Sequence, residues 1–194
     1  MSQNRMEQVF IYHAKKPGFS GGTLYPLNAL REHMPEVYAR EAKKYEGREW
    51  LMNATIPGLE ALWNDVVHFS LMHPSLIYQE LSRQGFTHHK IAREWFEVPV
   101  TALDGRPAVI YKNTRKDRSQ RDFPPHEFEP VDPRRVRELS GMPERNRAYY
   151  AECLANKSYP LLWAFAPHVL VKSRLDISGF RVINWQGAEG DAAS

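Results

Sequence analysis

The chain has 194 residues, of which 42% are hydrophobic and 25% charged, a composition that excludes a disordered tract and gives one domain enough apolar material for its own core. Its formal charge of +3 is modest, and the single cysteine, Cys153, excludes an internal disulfide and points to a reducing compartment. The opening residues hold no long apolar run, so neither a leader peptide nor a membrane-spanning helix is expected, and the reading is cytoplasmic.

Val9 to His13 form a compact β-prone run, ended by Lys15, Lys16, Pro17 and Gly18. Gly18, Gly21 and Gly22 make the next piece a loop, without the spacing of a phosphate-binding glycine motif. Leu27 to Tyr45 reads as helix divided near Pro35, with Leu27, Leu30, Met34, Val37 and Tyr38 as its apolar stripe and Gly47 as its C-terminal cap. A polar turn at Asn64 and Asp65 leads into a strand from Val66 to Phe69. Alternation places Val66, His68 and Ser70 on one side, Val67 and Phe69 on the other. Pro74 suits the first turn of a helix that carries Leu76, Ile77, Glu80 and Leu81.

A brief helix is predicted from His88 to Arg93. Strands follow at Trp95 to Val100 and Pro107 to Tyr111, joined by a turn at Asp104 and Gly105. Lys112 to Pro133 is polar, basic and proline-bearing, and reads as a long loop. Asp132 and Pro133 start a helix over Val136 and Leu139, and another spans Glu144 to Leu154, with Cys153 as a buried structural thiol. A closing hairpin pairs Val169 to Val171 with Phe180 to Trp185. The domain is taken as 1–187 and a flexible tail as 188–194. The element order is not the βαβα alternation of a doubly wound sheet; it fits one α+β domain with mostly antiparallel pairing.

Between residues 112 and 147 the chain gathers Arg115, Lys116, Arg118, Arg121, Arg134, Arg135, Arg137, Arg145 and Arg147, a cluster suited to a polyanion. Interleaved acids, among them Asp117, Asp122, Glu127 and Glu138, equally describe an ordinary solvated surface. His13, His68, His73 and His168 raise the question of a metal, but the spacing of His68 and His73 matches no ligand pattern, and none is expected. Ser70 has no nucleophile-elbow motif around it.

Four segments, taken in order, resemble the DarT family of ADP-ribosyltransferases, which attach ADP-ribose from NAD to bases of single-stranded DNA. They are Ile11 to Lys15, Tyr45 to Arg48, Asn64 to Tyr78, and Ala166 to Val171 followed by Phe180 to Ile183. The resemblance implies an ADP-ribosyltransferase-like split mixed β-sheet core with flanking helices, and NAD as co-substrate. It also implies His13 on a ribose of NAD, Arg48 on the pyrophosphate as part of the catalytic set, and Phe69, His73 and Tyr78 at the nicotinamide end. The family's catalytic glutamate falls on His168 and its threonine on Lys15. A neutral imidazole can accept the same hydrogen bond as a carboxylate but brings no negative charge. Nucleic acid, single-stranded DNA or RNA, is the implied acceptor, and a macrodomain antitoxin an implied partner. Other readings stay open: His13 as a core histidine, Arg48 as a helix-end cation, Phe69 and Tyr78 as packing residues. At the level of the chain, the alternatives are a member that only binds nucleic acid and a transferase with a small-molecule acceptor.

Overall fold

The structure, a computed structural model, describes residues 8–87, 93–115 and 121–187. The helix expected at His88 to Arg93, the middle of the basic segment and the 188–194 tail therefore lie mostly or wholly outside the described residues.

Seven strands form one sheet: β1 (Phe10–Lys15), β5 (Val67–Ser70), β6 (Glu94–Pro99), β7 (Ala108–Tyr111), β8 (Phe128–Pro130), β9 (His168–Val171) and β11 (Arg181–Asn184). Their order across the sheet is β11-β6-β1-β5-β9-β7-β8, and every ladder among them is antiparallel. Two short ribbons accompany it: β2 (Thr23–Leu24) pairs with β10 (Leu175–Asp176), and β3 (Thr55–Ile56) with β4 (Ala61–Leu62). The helices are α1 (Leu30–His33), α2 (Pro35–Ala42), α3 (Pro74–Gln84), α4 (Pro133–Glu138) and α5 (Glu144–Ala155). The chain is thus one α+β domain. Among the described residues no helix is long and apolar enough to cross a membrane.

Local signals account for many element ends. Pro35 cannot donate to the preceding turn, and α1 gives way to α2 there. Pro74 opens α3, and Gly85, at φ 91°, closes it in the left-handed conformation that glycine adopts at little cost. Asp132 caps α4 by accepting from the Arg134 amide at 2.7 Å. Cys153 is buried and free.

Three expectations fail on pairing. Trp95 to Val100 and Pro107 to Tyr111 do not form a hairpin: β6 lies between β11 and β1, while β7 lies between β9 and β8. The intervening Val100–Leu103 folds into a 3-10 turn that buries Val100 and Leu103 beneath the sheet, so the chain leaves β6 rather than reversing onto it. Val169 to Val171 and Phe180 to Trp185 are not a hairpin either. Between them β10 is captured by β2, which carries the chain to the opposite edge, where β11 pairs with β6. The Lys112 to Pro133 segment holds an edge strand, β8, because Phe128 has Tyr111 to pack on, ring centroids 5.0 Å apart.

The strands sort their side chains onto two faces. Ile11, Val67, Phe69, Phe96, Val98, Ile110, Val169 and Val171 point to one, where α4, the β2–β10 ribbon and the Val100–Leu103 turn cover them. The opposite face is covered in two halves. α3 and α5 close over Tyr12, Trp95 and Ile183, while the β3–β4 ribbon, Trp63 and Phe123 close over Val109, Tyr111 and Leu170. The seam between these halves runs along β5 and β9, where His68, Ser70 and His168 stand.

Candidate functional site

β1 pairs with β6 over six register positions but with β5 at only one, Tyr12 opposite Ser70. Past that pair the two central strands part, and a side chain takes the place of the ladder. The Nδ1–H of His13 donates to the His68 carbonyl at 2.8 Å. The His68 ring in turn donates from Nε2 to the Trp63 carbonyl at 3.0 Å and lies against the Trp63 indole, centroids 4.6 Å apart. Since each of those carbonyls can only accept, both tautomers are fixed. His13 keeps Nε2 as an acceptor and His68 keeps Nδ1.

Both imidazoles are held neutral. Burial pushes His13 down to about 4, against the pull of its backbone hydrogen bond and with help from Lys44 and Lys16. Burial likewise holds His68 well below its ordinary value, with His168, Lys44 and His13 adding to the effect. Lys44 is thus among the charges that lower both rings.

Other cations crowd the same place. Arg48 follows Gly47, whose φ of 76° turns the chain, and its Nη2 donates to the Lys44 carbonyl at 2.7 Å. Partial desolvation and Arg48 lower Lys44, while desolvation, Lys44 and Arg40 bring Lys16 down to about 8. Glu41 is ion-paired with Lys16 and, at 3.4 Å, with Arg40. Lys16 and Arg40 thus share the Glu41 carboxylate while Lys44 acts on Lys16, and an added anion relieves repulsion among like charges.

His168 stands beside this notch rather than in it. It opposes Ser70 on β5 and Tyr111 on β7, so one row crosses the face as Arg181, Glu97, Tyr12, Ser70, His168, Tyr111 and Phe128. Its ring is 6.4 Å from His68 and 5.3 Å from Trp163. Ser70 is fully buried, and its hydroxyl is used twice by Met72, accepting from the amide at 3.1 Å and donating to the carbonyl at 3.2 Å.

The residues singled out from the sequence fall into three places. His13 bonds the His68 carbonyl, Arg48 bonds the Lys44 carbonyl, and His168 lies one ring beyond His68. Phe69 is packed in the core, 0% exposed and 5.6 Å from the His13 ring. His73 and Tyr78 belong to α3. His73 caps the helix, its Nδ1 accepting from the Ser75 amide at 3.2 Å while its ring meets the edge of Tyr12 at 5.0 Å. Tyr78 packs on Trp185 at 5.7 Å. Burial lowers His73, Glu97 opposing and Arg181 assisting.

Lys16, Lys44 and Trp63 were not singled out. The lysine doublets on either side of the N-terminal helices were legible, but nothing local says that they meet. Two surface cavities, of about 330 and 480 Å³, lie elsewhere, beside Arg106 and Pro130 and beside Glu60 and Lys172. Among the described residues no cluster of three histidine, cysteine or acidic side chains could hold a metal ion. Compared with protein-family models, curated proteins and solved structures, the chain matches none of them.

Proposed function

We propose that the chain is a NAD-dependent ADP-ribosyltransferase, that its dinucleotide lies at the notch between β1 and β5, and that its acceptor is nucleic acid. The observation that carries this reading is the pair of oriented imidazoles where the central strands part, His13 on the His68 carbonyl and His68 on the Trp63 carbonyl, with Lys44 among the charges that lower both. Lys44, Lys16 and Arg48 suit a pyrophosphate, which accepts several charge-assisted hydrogen bonds at once. His13, with Nδ1–H committed to the His68 carbonyl, offers Nε2 to a ribose hydroxyl. NAD supplies the ADP-ribosyl group and nicotinamide as the leaving group. His168, placed where the resemblance puts the final catalytic residue, accepts a hydrogen bond without lending negative charge, so turnover is slow. The exposed arginines of the 121–147 segment, Arg121, Arg134 and Arg137, suit the acceptor's phosphates.

Calorimetric titration with NAD tests the first half. Wild type gives heat, and Lys44→Ala and Arg48→Ala each weaken binding about 10-fold or more, the worth of a charge-assisted hydrogen bond. No heat with wild type removes the proposal. Mass spectrometry of single-stranded oligonucleotides incubated with NAD tests the transfer.

A second reading is a protein that binds NAD or nucleic acid without turnover. It is favoured by His168, an imidazole that stands 6.4 Å from the His68 ring where the resemblance puts the family's carboxylate. It expects no released nicotinamide from wild type, and transferase activity gained in His168→Glu.

A further inference from the structure

We infer that the Asn64 carboxamide reads a donor–acceptor edge of the nucleotide held at the notch; this rests on the dinucleotide reading above. Asn64 lies in the turn Trp63–Asp65, several of whose polar groups are committed to the fold. The Trp63 carbonyl accepts from the His68 ring at 3.0 Å, and the Asn64 carbonyl from the Asn28 amide at 3.0 Å. The Asp65 carboxylate accepts from Asn28 Nδ2 at 2.7 Å and from the Leu62 amide at 3.0 Å. The Asn64 side chain is the exception. Only 1% of the residue is exposed, and neither Nδ2 nor Oδ1 has a protein partner among the described residues.

Buried carboxamides are ordinarily matched, because an unmatched one loses its water without compensation. Here two unmatched atoms sit in the residue next to Trp63, whose carbonyl holds one of the notch imidazoles. A carboxamide sets a donor beside an acceptor, and its complement sets an acceptor beside a donor. In a dinucleotide of this kind two groups do so: the nicotinamide carboxamide and the amino edge of adenine, which asparagine pairs with in two parallel bonds.

The test uses Asn64→Leu and Asn64→Met, apolar side chains of similar volume, with NAD, ADP-ribose and nicotinamide mononucleotide as titrants. Without ligand, Asn64→Leu is expected to melt no lower than wild type, since no hydrogen bond of the fold is removed. Its affinity for NAD should fall about 10-fold or more, as when a polar partner is left unmatched. Loss for NAD and nicotinamide mononucleotide with ADP-ribose spared assigns the edge to nicotinamide; loss for NAD and ADP-ribose with the mononucleotide spared assigns it to adenine. Unchanged affinity for all three overturns the inference, and so does a lower melting temperature in both variants, which makes the amide part of the fold. A wild type that binds none of the three removes the dinucleotide reading and this inference with it, whereas a wild type that binds NAD as well as its variants do removes only the role of Asn64.

Discussion

On one face of the sheet Val67, Phe69, Ile110, Val169 and Val171 form an unbroken apolar layer, each buried to within a few per cent. On the other, the same strands set Tyr12, Ser70, His168 and Tyr111 in a row between two separate hydrophobic clusters. Neighbouring residues of one strand thus have opposite fates: Phe69 is core, His68 is an oriented imidazole, Ser70 is a hydroxyl locked on Met72. The alternation of a strand lets a four-residue element give the core one set of side chains and hold polar groups with the other.

Truncating the apolar face should cost most. Phe69→Ala is expected to destabilise by about 3–5 kcal/mol, the usual range for a fully buried phenylalanine, read as a lower urea midpoint at unchanged slope. A loss under about 1 kcal/mol would mean that the layer is not the stabilising one.

Acid should act on the notch next. With the folded-state value of His13 near 4 and an ordinary one of 6.5, the unfolded chain binds more protons between those values. Stability is therefore full above about pH 6.5 and declines as pH falls toward 4, and His68 shifts in the same direction. His13→Gln, which keeps a donor for the His68 carbonyl, should flatten the decline measured by denaturant titration across that range. An unchanged slope would mean that the imidazole is not buried neutral.

Ser70→Ala removes a hydroxyl that bonds Met72 twice and should cost about 1 kcal/mol. A cost as large as that of Phe69→Ala would erase the distinction between the faces. At the rim of the apolar face, Val182 on β11 is 38% exposed, and Val182→Thr should stay within about 0.5 kcal/mol by thermal denaturation. A larger loss would extend the core to the sheet edge.

Much of the fold was legible locally. Pro35 dividing α1 from α2, Pro74 opening α3, Asp132 capping α4 and the two-sided pattern of β5 all rest on backbone sterics or short-range hydrogen bonds, which a sequence window contains. Partner choice was not. The turn residues Asp104 and Gly105 sit between two strands that never meet, and β8 was hidden in a segment whose polarity suggested a loop. The site divided in the same way. His13 and Arg48 were singled out from the sequence as candidates, whereas the influence of Lys16 and Lys44 on His13 arises only in the fold.

By itself the sequence determined the α+β class, where α3 and α4 begin and how the side chains of β5 divide between its two sides, since periodicity, proline and capping act over a few residues. The tertiary structure alone decided that β1 and β5 would be neighbours joined at a single pair, with the His13 ring bonded to the His68 carbonyl beyond it. Strand order is set by which apolar surfaces can be buried together, and that sum runs over the whole chain.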